Sequence, residues 1–217
     1  MVLGLDVGSS YTKGILFEGG IRGKIVVKTS FRPGEAIGKV KRRLAGYDKI
    51  VATGYGRNLV DGADLVVTEI SAFARGASHI NPEVRTIIDL GGQDSKVIRV
   101  EKGRPVQFVM NDRCAAGSGN FIEKTAQALG LSLDEFGRLA TKSGKPEMID
   151  SLCVVMAETE VLSLVAEGKN LADIAAGICD TLIRRIAGFG ARIGVAEEQR
   201  GDPAQSHRCY RPEGRYL

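Results

Sequence analysis

The chain has 217 residues, of which 43% are hydrophobic and 26% are charged, and its formal net charge is +4. These values predict a globular protein with enough core for one large or two small domains. Aromatic residues do not interleave with the basic ones, so we expect no nucleic-acid partner. No apolar run approaches about 20 residues, so we expect no membrane span. The start lacks a leader pattern, so we expect a cytoplasmic location.

The first 80 residues alternate between apolar strands and amphipathic helices. Three short strands joined by tight turns, which favour antiparallel pairing, are predicted at residues 2–7, 12–17 and 24–29. A helix with a basic outer face is predicted over residues 34–44, followed by a strand over 49–53. A second helix over 68–80 ends at Asn81-Pro82. We therefore predict a first domain over residues 1–82.

The same strand–turn–strand pattern returns after residue 83. Strands are predicted at residues 84–90, 95–100 and 107–110. The sequence DVGSSYTK at residues 6–13 aligns with DLGGQDSK at 89–96, Asp on Asp and Lys on Lys. We interpret this as an internal duplication, with a second domain over residues 83–196.

Helices dominate the rest of the second domain. A helix beginning near Phe121 is predicted to be capped by Ser118 or Asn120. Ser132-Leu133-Asp134-Glu135 has the pattern of a capping box and opens a helix to about residue 140. Asn170 is predicted to cap the last helix. Residues 197–217 are polar and poor in aliphatic residues, so we expect a tail that is disordered or lies on the surface.

The two Asp-containing turns are candidate phosphate sites. Small residues let backbone N–H groups approach phosphate oxygens, and Ser9, Ser10 and Thr12 offer hydroxyls. Lys13 can neutralise phosphate charge. The strand-ending carboxylates Asp6 and Asp89 are suited to hold hydrated Mg²⁺ and to orient an attacking water. Two ordinary β-turns are the alternative, and no P-loop pattern occurs in the chain.

Two of the four cysteines are candidates for chemistry. Cys114 lies in NDRCAAGSGNF, just before a predicted helix, where unpaired N–H groups and the helix dipole favour a thiolate or a bound anion. The alternative is a buried structural cysteine. Cys153 precedes or opens another helix, whereas Cys179 is predicted to pack in a helix core and Cys209 has no assigned role. No CxxC pair occurs, so a zinc knuckle is not expected, and neither are disulfides.

These motifs resemble those of a known superfamily. DVGSSYTK followed by DLGGQDSK is similar to the two phosphate motifs of actin-like ATPases. TEISAFARGA at residues 68–77 and NDRCAAGSGNF narrow the resemblance to the activator ATPases of 2-hydroxyacyl-CoA dehydratases and of benzoyl-CoA reductases. It extends from Met1 to about Val195. It implies an α/β actin-like (ribonuclease H-like) fold made of two related subdomains, the second of which carries cluster-binding helices.

The resemblance also implies cofactors, partners and site residues. In such activators an ATPase coupled to electron transfer uses a [4Fe-4S] cluster shared across a homodimer, here by Cys114 and Cys153. Asp6 and Asp89 would be catalytic, with Mg²⁺. The residues that would contact the phosphates of ATP or ADP are Gly8, Ser9, Ser10, Lys13, Gly91, Gly92 and Gln93. One electron, supplied by a ferredoxin or flavodoxin, would pass to a dehydratase or reductase.

The dimer has support that is independent of the resemblance. A [4Fe-4S] cluster takes four thiolates, and this chain offers two cysteines that open helices. A two-fold dimer supplies four thiolates.

The chain departs from the family after Val195. Family members continue with a strand, a Gly-Gly adenosine motif and a returning helix, and here the atypical polar tail of residues 197–217 follows instead. We therefore expect that the C-terminal part is truncated, which bears on adenosine affinity. The alternatives are a small-molecule kinase of the same fold, which needs no iron, and a non-catalytic ATP-binding module.

Overall fold

In the computed structural model, residues 1–111, 114–150 and 153–195 are described. They form two units. Unit 1 consists of Met1–Ile87 with Val100–Val106, and unit 2 consists of Ile88–Arg99 with the described residues from Gln107 onward. The domain boundary between residues 82 and 83 stays a prediction, and the predicted tail at 197–217 lies outside the described residues.

A five-stranded sheet is the centre of unit 1. Its strands follow the order β3-β2-β1-β4-β5 and span β1 (Val2–Val7), β2 (Tyr11–Phe17), β3 (Ile21–Lys28), β4 (Lys49–Thr53) and β5 (Leu65–Val66). The first three strands pair antiparallel, as predicted. Strand β4 pairs parallel to β1, and the short β5, which was not predicted, pairs parallel to β4.

Alternation along β1 builds the core of unit 1. Leu3, Leu5 and Val7 are buried, since successive side chains of a strand point to opposite faces. Helix α1 (Pro33–Arg43) packs Ile37 and Val40 into the same cluster.

Both helices of unit 1 carry signals at their ends. Pro33 lies in the first turn of α1, where its missing N–H costs nothing, and basic residues in the last turn complement the helix dipole. Helix α2 (Glu69–Ile80) is capped by Thr68, whose hydroxyl accepts the Ser71 N–H.

The described residues of the second half of the chain form a three-stranded sheet and four α-helices. The sheet has the order β6-β7-β8, with β6 (Thr86–Leu90), β7 (Ser95–Glu101) and β8 (Arg104–Asn111). The helices are α3 (Gly119–Ala128), α4 (Leu133–Ala140), α5 (Val154–Ala166) and α6 (Leu171–Ala191). Val97, Phe121, Phe136 and Ile178 belong to the core of unit 2. None of the described helices is both long and apolar enough to span a membrane.

The predicted caps of α4 and α6 are confirmed. Ser132 accepts the Glu135 N–H, and the Glu135 carboxylate accepts the Ser132 N–H at 2.9 Å, which completes the capping box. Asn170 accepts the Ala172 N–H at 2.8 Å. Each pairing joins residues two or three positions apart, so it depends on local sequence alone.

Candidate functional site

The carboxylate of Asp6 lies at the end of β1 and is paired with Lys13. The two residues face each other in the β1–β2 register, and Lys13 Nζ lies 2.9 Å from Asp6 Oδ2. The side chain of Lys13 is 51% exposed and that of Asp6 is 29% exposed. The pair is therefore open to solvent. Either side chain can leave its partner and contact a bound ligand instead.

Gly54, which sequence reasoning missed, lies against this carboxylate. Because β1 and β4 are parallel neighbours, their carboxyl ends meet, and Gly56 N–H donates to the Val7 carbonyl at 2.8 Å. A Cβ on Gly54 would overlap Asp6 Oδ1 and lie 2.7 Å from the Val7 carbonyl oxygen, and Gly54 has a φ of +90°. Glycine is therefore required here for two reasons. The available signal was Gly54-Tyr55-Gly56 directly after a predicted strand.

The turn of the first hairpin is closed by Gly8. Its N–H donates to the Tyr11 carbonyl at 3.1 Å, and a Cβ on Gly8 would lie 2.7 Å from that oxygen. Ser9 and Ser10 lie between these residues and are partly exposed. The turn is therefore tight and carries its two hydroxyls within reach of solvent.

The prediction that Thr12 offers a hydroxyl to phosphate is wrong. Thr12 is fully buried, and its hydroxyl lies 2.9 Å from Thr29 Oγ1. Thr29 donates its one hydroxyl hydrogen to the Gly8 carbonyl at 2.9 Å, so Thr12 is the donor to Thr29. Thr12 supports the turn from its buried side.

The second hairpin repeats the Asp–Lys pair but buries it. Lys96 Nζ lies 3.3 Å from Asp89 Oδ2 and 2.8 Å from Asp94 Oδ1, and the Lys96 side chain is 3% exposed. A buried ammonium is tolerated only when it is paired. A Cβ on Gly91 would lie 2.6 Å from Asp94 Oδ1. The sequence analysis did not predict a role for Asp94, which the structure places as the second ion-pair partner of Lys96.

The position of Cys114 differs from the prediction. Its thiol is exposed, but Cys114 caps a short 3-10 turn, Ala115–Gly117, rather than α3. The first N–H groups of α3 are already occupied, because Gly119 N–H donates to the Gly91 carbonyl at 2.8 Å and Asn120 N–H donates to the Gly92 carbonyl at 3.1 Å. The expectation of unpaired N–H groups at this helix N-terminus is therefore wrong for Gly119 and Asn120.

Ser118 occupies the N-cap position of α3 without capping it. Its hydroxyl makes no cap hydrogen bond and instead donates to the Ala115 carbonyl at 2.8 Å, with the Gly92 carbonyl at 3.2 Å. Ser118 is fully buried. The hydroxyl of Ser95 donates to the Gly117 carbonyl. Residues 114–120, called the cysteine segment below, are thus hydrogen-bonded to the turn of the second hairpin within unit 2.

A cavity of about 100 Å³ lies beside Cys114. The described residues that line it are Asn111, Cys114, Gly117, Arg185 and Phe189. Asn111 holds the backbone of Cys114 at two points: its Nδ2 donates to the Cys114 carbonyl at 2.8 Å, and its Oδ1 accepts the Cys114 N–H at 3.3 Å. A Cβ on Gly117 would overlap Asn111 Nδ2.

Cys153 opens α5, as predicted. Its sulfur accepts the Met156 N–H at 3.4 Å, and the residue is partly exposed. Cys179 packs against the core of unit 2, also as predicted, and Cys209 lies outside the described residues. Within the described ranges, no group of three or more His, Cys, Asp or Glu side chains is placed to hold a metal ion.

The segment that precedes Cys153 is anchored to α6. Asp173 Oδ1 accepts hydrogen bonds from Ser143 Oγ at 2.7 Å, Lys145 N at 3.1 Å and Gly144 N at 3.2 Å. The Ser143 hydroxyl is the main cause of a lowered pKa of the Asp173 carboxyl. Thr181 Oγ1 donates to the Ile149 carbonyl at 3.1 Å. A Cβ on Gly177 would overlap the Glu147 carbonyl oxygen, so the loop lies directly on the helix.

The chain is similar in sequence to a known protein family and to several known proteins. Residues 3–207 match the BadF/BadG/BcrA/BcrD ATPase family. The uncharacterized protein YjiL of Escherichia coli K12 is 43% identical over 197 residues, which are 88% of this chain and 77% of YjiL. The (R)-2-hydroxyglutaryl-CoA dehydratase activating ATPase of Acidaminococcus fermentans is 39% identical over 208 residues, 90% of this chain and 79% of that protein.

A solved structure is similar over nearly the same length. The activator of the 2-hydroxyisocaproyl-CoA dehydratase from Clostridium difficile, with bound ADPNP, is 38% identical and has a TM-score of 0.83, and the match covers 92% of this chain and 77% of that one. The predicted actin-like α/β fold is confirmed. On the family match and these identities, the chain belongs to the BadF/BadG/BcrA/BcrD ATPase family.

Proposed function

We propose that this chain is an ATP-hydrolysing activator that works as a homodimer and delivers one electron to a 2-hydroxyacyl-CoA dehydratase or a benzoyl-CoA reductase-type enzyme. The observation that carries the proposal is the set of hydrogen bonds from Gly119 and Asn120 to Gly91 and Gly92. They join the segment that contains Cys114 to a candidate phosphate turn. The two relatives whose names describe activators support the class of acceptor enzyme.

The ATP part of the proposal rests on the two hairpins. Asp6 and Asp89 would hold hydrated Mg²⁺ and orient the attacking water, because Mg²⁺ prefers one or two carboxylates together with water and phosphate oxygens. Lys13, which is half exposed beside Asp6, would turn to the phosphate charge. The proposed phosphate contacts are Gly8, Ser9, Ser10, Lys13, Gly91, Gly92 and Gln93.

The iron–sulfur part rests on Cys114 and Cys153. Both cap helical turns, and both thiols reach solvent at least in part. Two such thiols from each of two chains supply the four thiolates that a [4Fe-4S] cluster takes, so the donor set fits a group shared across a homodimer. When bound, the cluster supplies a one-electron carrier between an upstream ferredoxin or flavodoxin and the acceptor enzyme. The Met156 N–H at the Cys153 sulfur is a hydrogen bond of the kind that tunes such a carrier.

In the proposal, the main-chain hydrogen bonds between the Gly91–Gly92 turn and the start of α3 couple the ATP site to the iron–sulfur site. A change at the Gly91–Gly92 turn when phosphate enters or leaves would move the carbonyls that receive Gly119 and Asn120. The cysteine segment would move with them. In the proposal, ATP binding and hydrolysis change the angle between the two subunits in this way and so ease electron transfer.

Anaerobic purification with iron counting tests the proposal. The wild-type homodimer is expected to bind about two iron atoms per chain, which follows from one [4Fe-4S] cluster for two chains. Cys114→Ser and Cys153→Ser should lose this iron, and Cys179→Ser, the matched control, should keep it. Full iron content in Cys153→Ser would remove that ligand from the assignment. An iron-free wild-type protein that phosphorylates a small molecule would identify the kinase alternative instead.

A further inference from the structure

Arg185 reaches from α6 to the cysteine segment. Its Nη1 donates to the Ala116 carbonyl at 2.8 Å, and the two residues are 69 positions apart in the chain. Its guanidinium lies 5.4 Å from the centroid of the Phe121 ring, within the range of a cation–π interaction. A hydrogen bond and a ring contact together fix the direction of this long side chain. The 3-10 turn that Cys114 caps is therefore attached to α6 through Arg185.

Arg185 also lines the cavity beside Cys114. Among the described residues that line it, Arg185 is the one with a charged side chain. The others fix the shape of the cavity. Asn111 holds Cys114 at both its N–H and its carbonyl, and Gly117 leaves the room that the Asn111 amide occupies. The hydrogen-bonded backbone of Cys114 thus lines one side of the cavity, and the Arg185 guanidinium lines the side formed by α6.

We propose that Arg185 is the positioning residue for Cys114 and sets the reduction potential of the iron–sulfur group that Cys114 would ligate. The inference rests on the proposed function. A cationic group near a thiolate-bound cluster favours the more negatively charged, reduced form, because charge and hydrogen bonding around the sulfur atoms set the potential.

The test compares three variants of the reconstituted homodimer. Arg185→Gln removes the charge and keeps an amide donor, Arg185→Lys keeps the charge, and Arg184→Gln is the matched control. Arg184 is the next residue on α6, is exposed and pairs with Asp180 rather than with the cysteine segment. The readout is the midpoint potential from a redox titration followed by electron paramagnetic resonance, with iron content and circular dichroism measured on each sample.

We expect the Arg185→Gln potential to fall by about 59 mV, which is about a tenfold loss in the one-electron equilibrium constant. Arg185→Lys should lose less than half of that, and Arg184→Gln should match the wild type. An unchanged potential in Arg185→Gln would overturn the inference, as would an equal drop in Arg185→Lys. If Arg185→Gln fails to load iron, Arg185→Lys is compared with the wild type instead, and a drop of about 59 mV in Arg185→Lys would overturn the inference.

The failure of this inference can be told from that of the proposed function. A wild-type homodimer that holds no iron contradicts both. Normal iron loading with identical potentials in all variants contradicts the role of Arg185 alone and leaves Cys114 and Cys153 as ligands.

Discussion

Replacing Gly177 by alanine tests how the loop before Cys153 is held. Alanine inside a helix normally stabilises it by about 0.5–1 kcal/mol relative to glycine. At this position, however, the added Cβ would overlap the Glu147 carbonyl oxygen and lie 2.9 Å from its carbonyl carbon and 3.3 Å from its nitrogen. These are backbone atoms that no rotamer change can move. Overpacking of this kind costs about 1–3 kcal/mol, so we expect Gly177→Ala to lower the free energy of unfolding by about 1–2 kcal/mol.

Gly188→Ala is the matched control for this change. Gly188 lies on the same helix, and an added Cβ there would meet no atom within 4 Å. It should therefore show the propensity gain alone, about 0.5–1 kcal/mol of stabilisation. Thermal unfolding followed by circular dichroism separates the two variants, since 1 kcal/mol corresponds to about 2–4 °C for a domain of this size. Equal melting temperatures would show that the Glu147 loop does not pack on α6.

Three further outcomes are expected. Asp6→Asn and Asp89→Asn should each lose ATPase turnover by about a hundredfold or more while keeping their iron, because each removes a group proposed for metal or water positioning; wild-type turnover in both would show that the hairpins are only turns. Gly54→Ala should also reduce turnover, whereas Gly62→Ala, with a similarly positive φ of +72° but no atom near its Cβ, should not; equal effects would assign the loss to backbone strain rather than to displacement of the Asp6 carboxylate. The pKa of the Asp173 carboxyl is lowered in the folded protein from its ordinary value of 3.8. The ionised carboxylate should therefore stabilise the fold fully above pH 3.8, and this stabilisation should be lost as the pH falls below that value. The measurement is the urea midpoint of wild type and of Asp173→Asn, and a difference between them that stays constant from pH 6 down to about pH 3 would contradict the prediction.

Features set by local sequence were predictable. The strand–turn–strand units around DVGSSYTK and DLGGQDSK were predicted, and each places its Asp and its Lys seven residues apart across a hairpin, although the ion pair between them was not among the predictions. The capping box at Ser132 and the helix start at Cys153 also depend on residues within one turn. In each case the pattern and the contact occupy the same short stretch of chain.

Features set by distant parts of the chain were not predictable. The N-terminus of α3 looked available because its partners, Gly91 and Gly92, lie 28 residues earlier. Thr12 looked like a phosphate ligand because its partner Thr29 lies 17 residues later, just after the end of β3. No periodicity or motif indicates such pairings, which arise only when the elements pack together.

The link between the Gly91–Gly92 turn and α3 is made by main-chain atoms. Every residue except proline carries the N–H that such a bond needs, so a change in the polarity of a side chain does not delete it. A larger side chain at Gly119 can break the hydrogen bond, because a Cβ there would lie 3.0 Å from the Gly91 carbonyl oxygen. During evolution this contact should therefore tolerate changes of polarity at Asn120 and be broken mainly by size at Gly119. Drift in the chemistry of neighbouring side chains would leave the connection itself in place.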